Sequence, residues 1–363
     1  MRLKENPGSL PVVFFQPLSS WKFRLTSGAV LCYDKSIKKK EPWCLMKVYI
    51  PEDRYQEVYD STVVPYLASH IQDDAFFESF DGAKIHYAVY RTDKAKGTIV
   101  ILHGFTEAIV KFRPLIYVFL NEGFNVCMID QRGHGGSHRD VDNPSWTHVD
   151  HFEDYVKDFE YFLNKVVKKV PGPYYLFGHS MGGAVSALYL ESGSDFLKKV
   201  VLNCPMICPA HAGIPMPITK FVFSLMILFG KRKKVLFNAS DYTGEENFEN
   251  ACASSPVRFT WYNNFKKADK NLYTCNPTVG WAMESMKVPR KVLKKGGPEG
   301  IRVPVLLLSC DGDNMVLRPA QEKFIARVPN GRFETVSGGK HELYRSEDAV
   351  LYPYLERVLS FFD

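Results

Sequence analysis

Gly178-His179-Ser180-Met181-Gly182-Gly183 sets a serine between an apolar run, Tyr174-Tyr175-Leu176-Phe177, and a helix-forming stretch from Ala184 to Glu191. A strand-to-helix turn this sharp strains the serine backbone and leaves no room for side chains on either flank. It lifts Oγ clear of the turn. The helix N-terminus beneath offers free N–H groups and a positive dipole end. Nucleophilic attack on a carbonyl carbon is the chemistry that this arrangement suits. A Gly-x-Ser-x-Gly pattern is common by chance, and its plain reading is a glycine-rich helix entry. The strand before it and the helix after it give it specificity.

A serine hydroxyl is a weak nucleophile at neutral pH and needs an adjacent base. On elbows of this type the chain order is serine, acid, histidine. Beyond His211 the chain holds a single histidine, His341, in the loop Ser337-Gly338-Gly339-Lys340-His341-Glu342. A lone histidine is more often structural or exposed, but order, loop context and the lack of a rival assign this one as the base. The acid holds the imidazole tautomer and stabilises the imidazolium. It belongs in the loop after Val305-Leu306-Leu307-Leu308, where Asp311 and Asp313 both stand. Spacing does not choose between them, and either would otherwise cap a turn. Two N–H donors must face the developing oxyanion. Met181 supplies one and Phe105 the other, in His103-Gly104-Phe105, where Gly104 lets the backbone come close. The plain alternative for His103-Gly104 is an ordinary strand-to-loop turn.

The elements that must position these residues alternate. Phe76-Phe77 and Ile85 to Tyr90 flank Asp81-Gly82 and read as a β-hairpin. Thr98 to Leu102, Asn125 to Ile129, Tyr174 to Phe177, Val200 to Leu202 and Val303 to Leu308 are continuous apolar runs, the pattern of parallel strands buried on both faces. Between them lie helical stretches near Pro114 to Glu122 and over Phe152 to Val166, the latter amphipathic. A helix over Ala320 to Arg327, a strand over Phe333 to Val336 and a helix over Tyr354 to Phe362 close the chain. This rhythm predicts an α/β fold, a mostly parallel sheet with helices on both faces. It breaks between 205 and about 300, which reads as an insertion between two parts of one sheet. Asp130-Gln131-Arg132-Gly133-His134-Gly135-Gly136-Ser137 lacks the lysine of a phosphate loop. It reads as a structural loop in which Asp130 and Arg132 make local polar contacts.

The chain has 363 residues, 45% of them hydrophobic, which is enough for a buried core and argues against global disorder. The net charge of +6 is too small to point to nucleic acid, and no nucleic-acid-binding motif is present. The eight cysteines are scattered without metal-ligand spacing. They read as reduced thiols of a cytoplasmic protein. No cofactor and no metal site is expected. Leu10 to Gln16 is short and broken by Pro11, unlike a secretory signal. No run reaches the roughly 18 apolar residues of a membrane span.

The elbow, His103-Gly104, Asp130 to Ser137 and His341 together resemble the monoacylglycerol lipase and lysophospholipase branch of the α/β-hydrolases. His148-Val149-Asp150-His151-Phe152-Glu153-Asp154-Tyr155-Val156-Lys157-Asp158 is similar to bacterial lysophospholipases in particular. The family pattern after the late strand is roughly Gly-x-x-Asp-x-x-Val. Cys310-Asp311-Gly312-Asp313-Asn314-Met315-Val316 fits it with Cys310 in place of the glycine, so the resemblance implies Asp313 as the acid and keeps Asp311 as runner-up. The resemblance covers roughly residues 76 to 363 and implies core at 76–204, a cap at 205–300 over the serine, and core at 301–363; residues 1–75, which have no counterpart in it, read as an extension packing on the core. Phe221 to Phe229 is apolar almost all round and Lys231-Arg232-Lys233-Lys234 follows it, so this stretch suits a membrane or micelle surface with anionic headgroups. The plain reading is a cap helix packed on the core. The expected activity is hydrolysis of the carboxylic ester of a single-chain lipid through an acyl-enzyme. The alternatives are a short-chain esterase, an aminopeptidase using Glu245, Glu246 and Glu249 to hold an amine, or a non-catalytic binding protein. Oligomeric state is left open.

Overall fold

Apolar runs without polar alternation form strands covered on both faces, and they make the centre of the sheet in the computed structural model of the chain. The structure describes residues 21–26, 29–34, 49–193, 195–210, 214–236 and 239–363. Residues Met1–Tyr49 and Ile50–Asp363 are separate compact units. In the first, β1 (Trp21–Thr26) and β2 (Ala29–Asp34) pair antiparallel, with Trp21 opposite Asp34 and Thr26 opposite Ala29. Residues 1–20, 27–28 and 35–48 of the expected extension over 1–75, including Leu10 to Gln16 and Lys38-Lys39-Lys40, lie outside the described residues, as do the side chains of Cys32 and Cys44. The six described cysteine side chains are free thiols.

The second unit holds an eight-stranded sheet. In chain order its strands are β3 (Ile71–Glu78), β4 (Lys84–Tyr90), β5 (Gly97–Leu102), β6 (Phe124–Ile129), β8 (Tyr174–His179), β9 (Leu197–Asn203), β11 (Val305–Cys310) and β12 (Gly331–Val336), with the two-residue strands β7 (Trp146–Thr147) and β10 (Asn276–Pro277) pairing apart from it. Across the sheet the order is β12-β11-β9-β8-β5-β6-β4-β3. The six strands from β12 to β6 run parallel, while β4 and β3 are antiparallel at one edge. Every residue of β5, β6 and β11 is buried. The hairpin forms where expected, with Phe77 opposite Ile85, but β3 begins at Ile71, five residues before Phe76.

The chain goes from β5 to β6 on one side, then crosses to β8 on the other. Ligands gather at such reversals, outside the carboxyl ends of the strands. Leu102 lies opposite Gly178, so His103-Gly104 and Ser180 emerge side by side.

The helices of this unit are α1 (Tyr55–Val58), α2 (Val64–His70), α3 (Ile109–Asn121), α4 (Glu153–Lys165), α5 (Met181–Leu190), α6 (Met216–Leu228), α7 (Pro256–Ala268), α8 (Val279–Ser285), α9 (Val288–Val292), α10 (Arg318–Ile325) and α11 (Asp348–Phe362). The amphipathic face of α4, with Tyr155, Phe159, Phe162 and Leu163, enters the core as its spacing predicts. Two helices start earlier than read from the sequence. Pro114 lies inside α3 and Pro353 inside α11, each six positions in. A proline there removes one backbone hydrogen bond, and burial of Ile109, Phe112, Leu115, Ile116 and Phe119 on α3 outweighs it.

Between β9 and β11 the chain leaves the sheet and supplies α6 to α9. The stretch over 50–70 packs on α7. Tyr59 stands edge-on to Trp261 at 4.8 Å. Buried Arg258 donates to Ile50 O at 2.9 Å, Ser346 O at 2.8 Å and Asp348 Oδ1 at 2.5 Å.

The loop over Asp130 to Ser137 is held by its own polar groups. Arg132 bonds Asp81 and Asp158. Asp130 accepts from Ile109 N and Gly136 N and faces His86 Nδ1 at 2.7 Å, and His86 Nε2 faces Asp74 at 2.6 Å. Burial alone would lower the His86 pKa, but Asp130 and Asp74 outweigh it and raise it from 6.5 to about 9. A raised folded-state pKa gives stability that is complete below 6.5 and lost as pH rises through 9. We therefore expect His86→Gln to lower the urea-derived unfolding free energy by up to about 3 kcal/mol at pH 6. The gap between variant and wild type should close by pH 10. A gap independent of pH would contradict a charged His86.

Candidate active site

The site is built at the adjacent ends of β5 and β8. Ser180 links β8 to α5 with φ of 51° and ψ of −116°, a conformation that costs a non-glycine residue about 1–3 kcal/mol. Its N–H donates to Asn203 O at 3.0 Å, and its carbonyl accepts from Ala184 N and Met206 N, so neighbouring strands hold the strained turn. A side chain at 182 would run into Leu102 O, and one at 178 into Ser186 Oγ. Met181 is the first residue of α5, so its N–H has no acceptor within the helix.

His341 joins Ser180 to Asp313. Its Nε2 lies 2.8 Å from Ser180 Oγ, and its Nδ1 lies 2.8 Å from Asp313 Oδ2. An ionised carboxylate only accepts, so Nδ1 carries the proton and Nε2 presents its lone pair to the serine hydroxyl. Burial alone would raise the Asp313 pKa. The hydrogen bond and charge of His341, with N–H donors from Met315 and Val316, hold it below the ordinary value. Those two donors reach Asp313 Oδ1 at 2.9 and 3.2 Å. Asp311 is exposed and accepts from Gly338 N instead.

Phe105 is half-buried, its ring 4.3 Å from that of Trp281. Gly104 before it approaches the serine closely, since a Cβ there would stand 3.0 Å from Ser180 Cβ and 2.9 Å from Glu107 Oε2. Among the described residues, Cys204, Asp313 and His341 place three potential metal-ligand atoms within 4.8 Å of one another. Burial first, then Cys310 and Asp313, push the Cys204 thiol up, which disfavours the thiolate a metal requires.

Behind the triad lies a charged cluster that the sequence reading missed. Glu107 accepts from Gly104 N at 2.6 Å, Lys111 Nζ at 2.8 Å and Tyr344 Oη. Lys111 also reaches Glu342 at 2.6 Å, and Glu342 pairs with Arg345 at 2.5 Å. All five residues are buried. Burial would raise the Glu107 pKa, but Lys111 and His179 hold it well below the usual carboxylate range. Burial would lower Lys111, and Glu107 and Glu342 keep it raised. His179, in turn, is pushed down to about 4 by burial and stays neutral beside the His341 ring, 4.9 Å away. The Lys111–Glu342 pair joins residues 231 positions apart, so only the i,i+4 spacing of Glu107 and Lys111 and the i,i+3 spacing of Glu342 and Arg345 were visible in advance.

A family model described as serine aminopeptidase, S33, matches residues 93–348. The chain belongs to this family. It is a hydrolase with the α/β-hydrolase fold. It is 28% identical over 308 residues to lysophospholipase L2 of Escherichia coli (strain K12), covering 80% of this chain and 88% of that protein. It is 23% identical over 299 residues to the monoglyceride lipase of Saccharomyces cerevisiae (strain ATCC 204508 / S288c), covering 78% and 90%. The crystal structure of a soluble variant of the Saccharomyces cerevisiae monoglyceride lipase, in complex with a substrate analog, superposes with a TM-score of 0.65. It is 21% identical and covers 82% of this chain and 96% of that one.

Replacing Lys111 would leave buried Glu107 without its cation and Glu342 with Arg345 alone. Lys111→Met in this hydrolase is expected to destabilise the fold by about 3–5 kcal/mol in urea titration. A loss below about 1 kcal/mol would mean that the cluster bears no net charge dependence.

Proposed function

We propose that this hydrolase cleaves the carboxylic ester of a single-chain lipid through an acyl-enzyme on Ser180. The observation that carries the reading is the continuous Ser180–His341–Asp313 chain, each link 2.8 Å. Ser180 Oγ attacks the ester carbonyl carbon while His341 Nε2 takes its proton. The oxyanion is met by the N–H groups of Met181 and Phe105. His341 then protonates the departing alcohol, and water, deprotonated by the same nitrogen, releases the fatty acid. Asp313 keeps Nδ1 protonated and stabilises the imidazolium.

The lysophospholipase and monoglyceride lipase relatives support a lipid substrate, a lysophospholipid or a monoacylglycerol. So does α6, within the segment 205–300 that we assign as the cap over the serine. Its Phe223 packs on Val279 and Met283. Phe221, Leu228 and Phe229 are 65%, 77% and 75% exposed, beside exposed Lys231, Lys233 and Lys234. That surface fits the anionic face of a bilayer. Arg232 is committed to Asp150. No helix among the described residues is long and apolar enough to cross a membrane.

A serine-directed fluorophosphonate should label the wild type and not Ser180→Ala; equal labelling would remove Ser180 as nucleophile. Asp313→Asn should lower kcat on a monoacylglycerol about 10³–10⁴-fold, while Asp311→Asn stays within about threefold of wild type. The reverse order would move the acid to Asp311. For the surface, Leu228→Asp with Phe229→Asp should weaken sedimentation with phosphatidylglycerol vesicles at least about tenfold. Undiminished binding would remove α6 as the docking face.

A further inference from the structure

A cavity of about 270 Å³ is bordered by Thr106, which follows Phe105 in the chain, and by Glu342, which follows His341. Its far wall comes from the insertion, and exposed Asn247 and Asn250 stand at its mouth. An acyl chain wants an apolar tunnel. This cavity is polar and carries both signs of charge: Lys111, Lys266 and Arg345 face Glu246 and Glu342, with Glu107 behind Lys111 balancing the third cation.

Two donors in this wall are orphaned. Tyr262 Oη and Arg345 Nε are buried and have no hydrogen-bond partner among the described residues, although Tyr262 and Arg345 are only 3% and 5% exposed. Buried donors left unmet are costly and rare. Both ask for an acceptor oxygen, and a phosphate diester supplies several. At the mouth, Glu246 is the lining carboxylate with the greater exposure, 31% against 10% for Glu342. It is placed to meet a cation arriving from solvent.

We infer that this cavity holds the zwitterionic headgroup of a lysophospholipid, the phosphate against Tyr262 and Arg345 and the ammonium against Glu246. The inference rests on the proposed ester hydrolysis at Ser180 and names the polar end of its substrate. A cavity lined by both signs in balance suits a zwitterion better than a neutral glycerol or a simple anion. Tyr262, Arg345 and Glu246 then set headgroup preference rather than take part in bond cleavage.

The test compares kcat/KM on a lysophosphatidylethanolamine, a lysophosphatidylglycerol and a monoacylglycerol of the same acyl chain. Tyr262→Phe removes only the orphaned hydroxyl and should fold normally. It should lower the lysophosphatidylethanolamine to monoacylglycerol ratio about tenfold, through KM. Glu246→Gln should lower the ratio of lysophosphatidylethanolamine to lysophosphatidylglycerol about fivefold. Glu249→Gln, on the neighbouring exposed turn, should move neither ratio. Hydrolysis with both ratios unmoved by Tyr262→Phe and Glu246→Gln would overturn the headgroup assignment and leave the esterase reading standing. A wild type that hydrolyses none of the three would remove the esterase reading itself.

Discussion

The pairing of Leu102 with Gly178 places the ends of β5 and β8 side by side, and the arrangement of the site depends on it. A parallel sheet has its free N–H groups and its loops at the carboxyl ends, and only at a reversal of strand order do two such loops face one another without a helix between them. Here one loop brings Gly104-Phe105 and the other brings Ser180. The approach is so close that position 104 has no room for a Cβ. The strain at Ser180 is tolerable because its N–H and C=O are bonded to β9 and the segment after it, which fixes the turn from the side opposite the ligand.

The buried charges serve the same geometry. Glu107 accepts from Gly104 N and thus fixes the backbone just before Phe105. Lys111 and Glu342 carry that constraint to the loop that bears His341. Both sides of the site are therefore tied through one set of ion pairs. Such a set is costly to break because each remaining charge would be stranded in a low dielectric. Next to it, burial keeps His179 neutral despite the nearby carboxylates, so no second positive charge stands against the His341 ring.

The legible features were local ones. The elbow could be read because a strand, its flanking glycines and a helix follow one another directly, from Tyr174 to Leu190. Buried strands could be read because parallel sheets tolerate no polar alternation. His341 followed from chain order and the lack of a rival. The choice between Asp311 and Asp313 was open to spacing because two residues in one loop differ only in where tertiary contacts point them. In the structure one carboxylate meets Gly338 N and the other His341. The starts of α3 and α11 were placed too late, because each helix runs through a proline that packing of its apolar face tolerates. The Glu107 cluster offered only two short-range pairs to read, since the Lys111–Glu342 link that joins them is made by the fold.

The segment between β9 and β11 is anchored unevenly. Arg258 ties α7 to the C-terminal helix and to residue 50, and Glu342 N bonds Cys252 O just before α7. Thr278 and Trp281 tie the start of α8 to His148 and Tyr155. In contrast, α6 meets α8 through Phe223, Met226 and Ile227, apolar surfaces that can slide without stranding a charge. In the proposed cap arrangement, displacement falls to a single helix, the same one that exposes the apolar surface. Loading of a water-insoluble substrate and opening of the enclosure would then be one event, driven by the interface rather than by the substrate molecule.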